Sequence, residues 1–212
     1  MDKRYAIFDM DGTLIDSMGY WGRLAVEYLE SKGVHQVNPR VLEQITPLPL
    51  IQSAALFIEE YGLKGTPETI AGEITAMMEG HYHHDISLKP GVQAYLERLH
   101  ANGVRMCVAS ATAERLIDAC LRRLGVRDYF EVLASCVTVG VGKTRPDVYD
   151  VCTRHFGVER SQVAVYEDAI HGAKTAKEAG YHVVGVYDES SLPRLDELKQ
   201  LVDEWIQDWE TA

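Results

Sequence analysis

Tyr5-Ala-Ile-Phe-Asp-Met-Asp-Gly-Thr-Leu14 is the stretch whose reading decides the fold. Its short apolar run, Tyr5 to Phe8, predicts a buried strand that delivers two carboxylates, Asp9 and Asp11, at its C-terminal end. Side chains two residues apart on a strand point the same way, so both acids are expected to face one spot. Gly12 then lets the chain turn sharply. Two acids at the mouth of a hydrophobic strand are costly unless a cation or a reaction requires them. The plain alternative is an acidic strand-to-turn connection with no chemistry.

Beyond Leu14 the period changes from strand to helix. Trp21, Leu24, Ala25, Tyr28 and Leu29 recur at helical spacing, with Gly33 as a stop. Pro47 and Pro49 mark a break before a second helical stretch carrying Leu50, Ala54, Phe57, Ile58 and Tyr61. Thr66-Pro67 reads as an N-cap with proline at the first helical position, opening a third helix through Ile70, Ile74, Met77 and Met78. Residues 15–86 are therefore expected to form an all-helical inserted domain. Residues 1–14 and 87–212 form the core.

From Lys89-Pro90-Gly91 onward strands and helices alternate. Strands are expected at 104–109, 132–134, 163–166 and 183–186. Helices are expected around Leu96, around Cys120, and over 146–156 and 170–179, with a final amphipathic helix carrying Leu195, Leu198, Val202, Ile206 and Trp209. Alternation of this kind implies an α/β fold, a Rossmann-like doubly wound parallel sheet covered on both faces. Ligands in such sheets bind beyond the strand C-termini.

Those strand ends carry the polar groups. Asp9 and Asp11 end the first strand, and Ser110 ends the second in Val108-Ala-Ser-Ala-Thr112. Lys143 lies in Gly142-Lys-Thr-Arg-Pro-Asp147, and Glu167 and Asp168 end the strand Val163-Ala-Val-Tyr-Glu-Asp168. In order and spacing these four groups resemble motifs I to IV of the haloacid dehalogenase (HAD) superfamily, with a helical cap inserted after motif I. The likeness spans nearly the whole chain and is nearest to the group of beta-phosphoglucomutase and small sugar-phosphate phosphatases. The resemblance implies a phosphatase acting on a small phosphorylated metabolite. In it Asp9 is the nucleophile that becomes phosphorylated, and Asp11 the general acid and base. Ser110, the backbone N–H of Ala111 and Lys143 would hold the phosphoryl oxygens. Asp9 and Asp168 would ligate a metal ion by side chain and Asp11 by its main-chain carbonyl, with Glu167 acting through a metal-bound water. Thr13 is expected to set the position of Asp11.

Electrostatics supports a cation independently. Two like charges ~4 Å apart repel by about 4 kcal/mol at an effective dielectric near 20, and Lys143 is the obvious local counter-charge. Such a cluster cannot hold a phosphate dianion without a divalent metal. The ligands are hard oxygens with no His or Cys among them, so Mg²⁺ is expected.

Two departures from the family pattern stand out. Lys143 is followed by Thr144-Arg145-Pro146 rather than Pro-x-Pro, and Asp168 is followed by Ala169 rather than a hydroxyl residue. Arg145 is expected to pair with a surface acid. The segment matching the family's specificity loop, residues 44–52, is apolar and has no Arg or Lys. A mutase must grip a bisphosphate from the cap side, so hydrolysis is favoured over phosphoryl transfer between sugar hydroxyls. Thr46 and Gln52 are candidates to hydrogen-bond the leaving group. The cap is expected to pivot near Asp16-Ser17 and Ser87–Pro90.

Competing readings fit less well. Gly142-Lys143-Thr144 imitates the end of a phosphate-binding P-loop, but Val137 stands where its first glycine belongs. No GxGxxG follows the first strand, against a dinucleotide enzyme. A phosphoacceptor receiver domain lacks a seventy-residue helical insertion. His81, His83, His84 and Asp85 fit a polar helix end better than a second metal site. His171 is expected near the site, in a supporting role. Tyr166, Trp205 and Trp209 read as packing residues.

Composition narrows the partners. The 212 residues are 46% apolar and carry a net charge of −11, which disfavours nucleic acid and anionic membranes. Cys107, Cys120, Cys136 and Cys152 lie 13 to 16 residues apart without a CxxC pair, as core thiols do in a reducing compartment. With no apolar leader before Asp9 and no run of membrane-spanning length, a cytoplasmic monomer is expected.

Overall fold

The parallel sheet is present, with one strand more than the periodicity suggests. The structure, a computed structural model, describes residues 4–45, 48 and 50–212. Its strands are β1 (Tyr5–Phe8), β2 (Arg105–Ser110), β3 (Phe130–Ser135), β4 (Val163–Glu167), β5 (His182–Val186) and β6 (Glu204–Ile206). They pair in the order β3-β2-β1-β4-β5-β6, every neighbour parallel. Phe8 lies level with Val108 on one side and Tyr166 on the other. Asp9 therefore leaves the sheet beside the ends of β2 and β4, where Ser110 and Glu167 stand.

Contacts divide the chain into two units, Met1–Met18 with Ile86–Ala212, and Gly19–Asp85. The first holds the sheet together with α5 (Val92–Ala101), α6 (Glu114–Arg123), α7 (Cys136–Val139), α8 (Asp147–Phe156), α9 (Ile170–Glu178) and α10 (Leu195–Leu201). The second is helical: α1 (Met18–Ser31), α2 (Pro39–Ile45), α3 (Leu50–Tyr61) and α4 (Pro67–His84). Thr66 caps α4 as its sequence suggests, accepting from Thr69 N with Pro67 in the first turn. Helix α2 is not apparent from apolar spacing. Its start is set by Asn38, whose side chain accepts from Arg40 N at 3.0 Å. No described helix is long and apolar enough to cross a membrane.

Alternation along β1 gives the sheet two packed faces. Ile7 joins Cys107, Val163 and Val165 beneath Tyr149, Cys152 and Phe156 of α8. Phe8 points the other way and stacks on Tyr166 with ring centroids 4.2 Å apart. Trp209 covers Tyr166, and Tyr95 hydrogen-bonds the Tyr166 hydroxyl at 2.9 Å. Burying one aromatic of this size contributes about 1.5–3 kcal/mol, so this cluster anchors the strand that carries Asp9. All four cysteines are buried and free, as core thiols.

The last segment corrects the expected helix. Helix α10 stops at Leu201, and Val202 turns extended at ψ 160. Asp203 then joins the open edge of β5, its N–H donating to Val183 O and its carboxylate accepting from Val183 N, both at 2.9 Å. The unpaired edge of β5 offers ladder partners that a helix cannot use. Gly185 makes room for the Trp205 ring, since a Cβ there would lie 2.8 Å from Cε3.

Gly91 fixes where this tail returns. It starts α5 at φ +83, and a Cβ would stand 2.6 Å from the backbone nitrogen of Glu210. Gly91→Ala is expected to destabilise the protein by at least about 2 kcal/mol, from left-handed strain plus the backbone collision. Urea unfolding should show this as a lower midpoint at unchanged slope.

Candidate active site

Chemistry gathers at the C-terminal ends of β1, β2 and β4. Asp9 extends the ladder one residue past β1, its N–H donating to Tyr166 O at 3.0 Å. Its carboxylate is buried and meets Lys143 Nζ at 2.5 Å. The same ammonium reaches Glu167 Oε1 at 2.6 Å. Asp168 completes the group: Asp9, Glu167 and Asp168 each present an oxygen within 4.8 Å of the others. Lys143 is also buried, so its charge is shared between carboxylates with little water to screen it.

Gly12 explains how Asp168 comes so near. Its φ is +79, and a Cβ would lie 2.4 Å from Asp168 Oδ2. Beside it Thr13 Oγ1 donates to Asp168 Oδ1 at 2.9 Å, so Thr13 positions Asp168 and not Asp11 as the sequence suggests. Its carbonyl, in turn, accepts from Trp209 Nε1 at 3.2 Å.

Asp11 stands apart from the trio. β1 ends at Phe8, so strand alternation no longer governs the two acids, and they do not share one environment. The Asp11 carboxylate accepts from Ser17 Oγ and Thr112 Oγ1, each at 2.7 Å, and from Ser110 Oγ at 3.4 Å. Ser110 in turn accepts from Thr112 N at 3.0 Å. Ala111, beside it, is exposed at the end of β2.

Burial drives the titration of this cluster. It raises the Asp9 carboxyl well above the ordinary range; Lys143 opposes the shift while Glu167, Asp168 and Asp11 add to it. Asp168 is pushed up to about 7, again chiefly by burial and then by Glu167. Burial alone would lower the Lys143 ammonium, but Asp9 and Glu167 more than reverse that and keep it charged. Three buried carboxylates thus face one monovalent cation, and the shortfall is met by protons or by a metal.

The donor set fits a divalent metal. All three ligand atoms are hard oxygens, as Mg²⁺ prefers. Glu167 Oε2 is buried and lacks a hydrogen-bond partner among the described residues. Two glycines, Gly12 and Gly172, leave the space that Asp168 and Glu167 occupy; a Cβ on Gly172 would lie 2.7 Å from Glu167 Oε2.

The haloacid dehalogenase-like hydrolase family model matches residues 6–186. The chain belongs to this family. Probable pseudouridine-5'-phosphatase of Drosophila melanogaster is 30% identical over 204 residues, spanning 92% of this chain and 84% of its own length. Fructose-1-phosphate phosphatase YqaB of Escherichia coli is 29% identical over 188 residues, 88% of this chain and 98% of the relative. Among solved structures, a putative beta-phosphoglucomutase from Thermotoga maritima superposes with a TM-score of 0.82 at 24% identity, covering 98% of this chain and 95% of that one. Asp9, Asp11, Glu167 and Asp168, with Ser110 and Lys143, fall inside the span matched to the haloacid dehalogenase-like hydrolases.

Other candidates find ordinary partners. Arg145 is exposed and paired with Asp147 at 3.1 Å. His81 lies between Asp85 and Glu27, at 2.7 and 3.1 Å. His171 is exposed and lines a cavity of about 280 Å³ with Asp168, Ser190 and Arg194. Gln52 is an exposed residue of α3 in the helical unit, and Thr46 lies outside the described residues. Sequence reading missed Ser17, Thr112, Tyr149 and Gly172. Thr112 had a visible signal, a second hydroxyl two residues after Ser110. Tyr149 had none, because its spacing marks only the buried face of α8.

The raised Asp168 pKa sets a stability trend. Between its unfolded value of 3.8 and about 7, the folded protein holds a proton that the unfolded chain has released. Stability of the metal-free protein is therefore expected to fall as pH rises through that window. Thermal melts in EDTA should show a declining Tm, Mg²⁺ should restore it most at the alkaline end, and Asp168→Asn should flatten the slope.

Proposed function

We propose that this protein is a Mg²⁺-dependent phosphatase that hydrolyses a phosphomonoester of a small sugar or polyol through a phosphorylated Asp9. The observation that carries this reading is the buried trio of Asp9, Glu167 and Asp168 with Lys143 among them. The phosphatase names of the relatives support the substrate class, and the acidic net charge of the chain is no obstacle because Lys143, with a bound metal, would supply local positive charge.

Asp9 and Asp168, with Glu167 and the main-chain carbonyl of Asp11, would hold the ion. When bound, Mg²⁺ offsets the charge that a phosphoryl group brings to three carboxylates. An Asp9 carboxylate oxygen attacks phosphorus in line, and the ester P–O bond breaks. Asp11 gives its proton to the departing alkoxide. A water then attacks the acyl phosphate, Asp11 takes its proton back, and inorganic phosphate leaves with Asp9 restored. Ser110, the N–H of Ala111 and the remaining Lys143 proton hold the phosphoryl oxygens as charge shifts to the leaving group.

The two aspartates suit these different roles because their surroundings differ. Asp9 faces an ammonium, whereas Asp11 accepts from the hydroxyls of Ser17, Thr112 and Ser110. With no Arg or Lys in residues 44–52, hydrolysis is preferred over transfer to a second sugar hydroxyl.

Asp9→Asn is expected to lower kcat by at least about 10³-fold while leaving the fold intact. Phosphate release from a panel of small esters, fructose 1-phosphate among them, measures this with Mg²⁺ and with EDTA. Activity above roughly 1% of wild type in the variant would remove Asp9 from the nucleophile role.

A further inference from the structure

The Glu167 carboxylate, wholly buried at the end of β4, has two unequally treated oxygens. Oε1 accepts two hydrogen bonds, from Lys143 Nζ at 2.6 Å and from the Tyr149 hydroxyl at 2.7 Å. Oε2 accepts none among the described residues, and the whole carboxylate lies in the space opened by Gly172, where a Cβ would stand 2.7 Å from Oε2 and 2.8 Å from Oε1. A neutral phenol beside a carboxylate can only donate, so the Tyr149 bond has a fixed sense.

Tyr149 is itself held firmly. It lies in the first turn of α8, six residues after Lys143, and the Lys143 ammonium stands 5.8 Å from its ring centroid. Its ring meets Tyr181 edge-on at 5.9 Å. The Tyr181 hydroxyl donates to Asp150 at 2.6 Å, and Arg160 grips Asp150 with two hydrogen bonds of 2.8 and 2.6 Å. A chain of packed and ion-paired side chains therefore fixes the phenol that touches Glu167.

From this arrangement we infer that Tyr149 is a positioning residue for the cation site. Its hydroxyl pins Glu167 Oε1 beside Lys143, so that the carboxylate keeps one orientation, Oε2 stays unpaired and available to an ion, and Lys143 stays shared with Asp9. Lacking that donor, Glu167 is free to rotate and offer both oxygens to Lys143. The ammonium would then leave Asp9, and the orphan oxygen would be consumed. The ordinary alternative is a core tyrosine whose hydroxyl merely found an acceptor. The inference rests on the metal site proposed above, and its test separates the two.

The test is calorimetric titration of the apo protein with MgCl₂, without substrate, on wild type, Tyr149→Phe and Tyr181→Phe. Tyr149→Phe keeps the ring, and circular dichroism should report an unchanged fold. Its Mg²⁺ dissociation constant is expected to rise about tenfold or more, as when the outer partner of a metal ligand is removed. Tyr181→Phe also loses a buried hydroxyl and is expected to melt lower while binding Mg²⁺ within about twofold of wild type. A third arm repeats Tyr149→Phe in a Glu167→Gln background, where the hydroxyl should make less than about a twofold difference if it acts through Glu167. Equal Mg²⁺ affinity in wild type and Tyr149→Phe overturns the inference, as does an equal loss in Tyr181→Phe or full additivity in the double variant. Failure of the wild type to bind Mg²⁺ overturns the metal-site reading itself.

Discussion

Lys143 is the counter-charge around which the site is organised, joined at 2.5 and 2.6 Å to two carboxylates buried with it. Removing such groups from water is costly, and a single ammonium cannot balance three acids. The fold meets this constraint by drawing the charges from three places: Asp9 from the end of β1, Glu167 and Asp168 from the end of β4, and Lys143 from the loop before α8. Packing then keeps them there. Phe8 and Tyr166, the residues just before Asp9 and Glu167, stack on one another beneath Trp209, and the acids cannot relax apart without disturbing the core.

The same constraint separates Asp9 from Asp11. Two acids, two residues apart, lie in environments as different as an ion pair and a hydroxyl cradle. Divergent surroundings of neighbouring carboxyl groups let one fold give them different chemistry. What separates them here is the early end of β1 together with the turn at Gly12. That turn also admits Asp168 to a distance that any side chain at residue 12 would forbid.

Much of this was legible in the sequence because strand periodicity and strand-end polarity are local signals. Tyr5–Phe8, Asp9, Ser110, Lys143 and the Glu167-Asp168 pair stand where parallel-sheet logic puts a ligand site. The final strand was not legible. Leu195, Leu198, Val202 and Ile206 satisfy a helical period, yet the free edge of β5 offered hydrogen bonds that outweighed it from Asp203 onward. Local period cannot report an open edge formed by distant residues. Thr13 was misassigned for a similar reason: adjacency to Asp11 in the chain suggested a partner, and the turn aimed its hydroxyl at a residue 155 positions away.

By itself the sequence determined the class of fold and which strand ends carry carboxylates, since both follow from residue type and short-range order. Only the tertiary structure decided which carboxylates share a cation, which hydroxyls surround Asp11, and that Tyr149 and Gly172 belong beside Glu167. These depend on close approach across the sheet, where a missing Cβ or one well-placed phenol sets the distance. Nothing in the spacing of residues along a chain encodes an ångström-scale fit between segments brought together by folding.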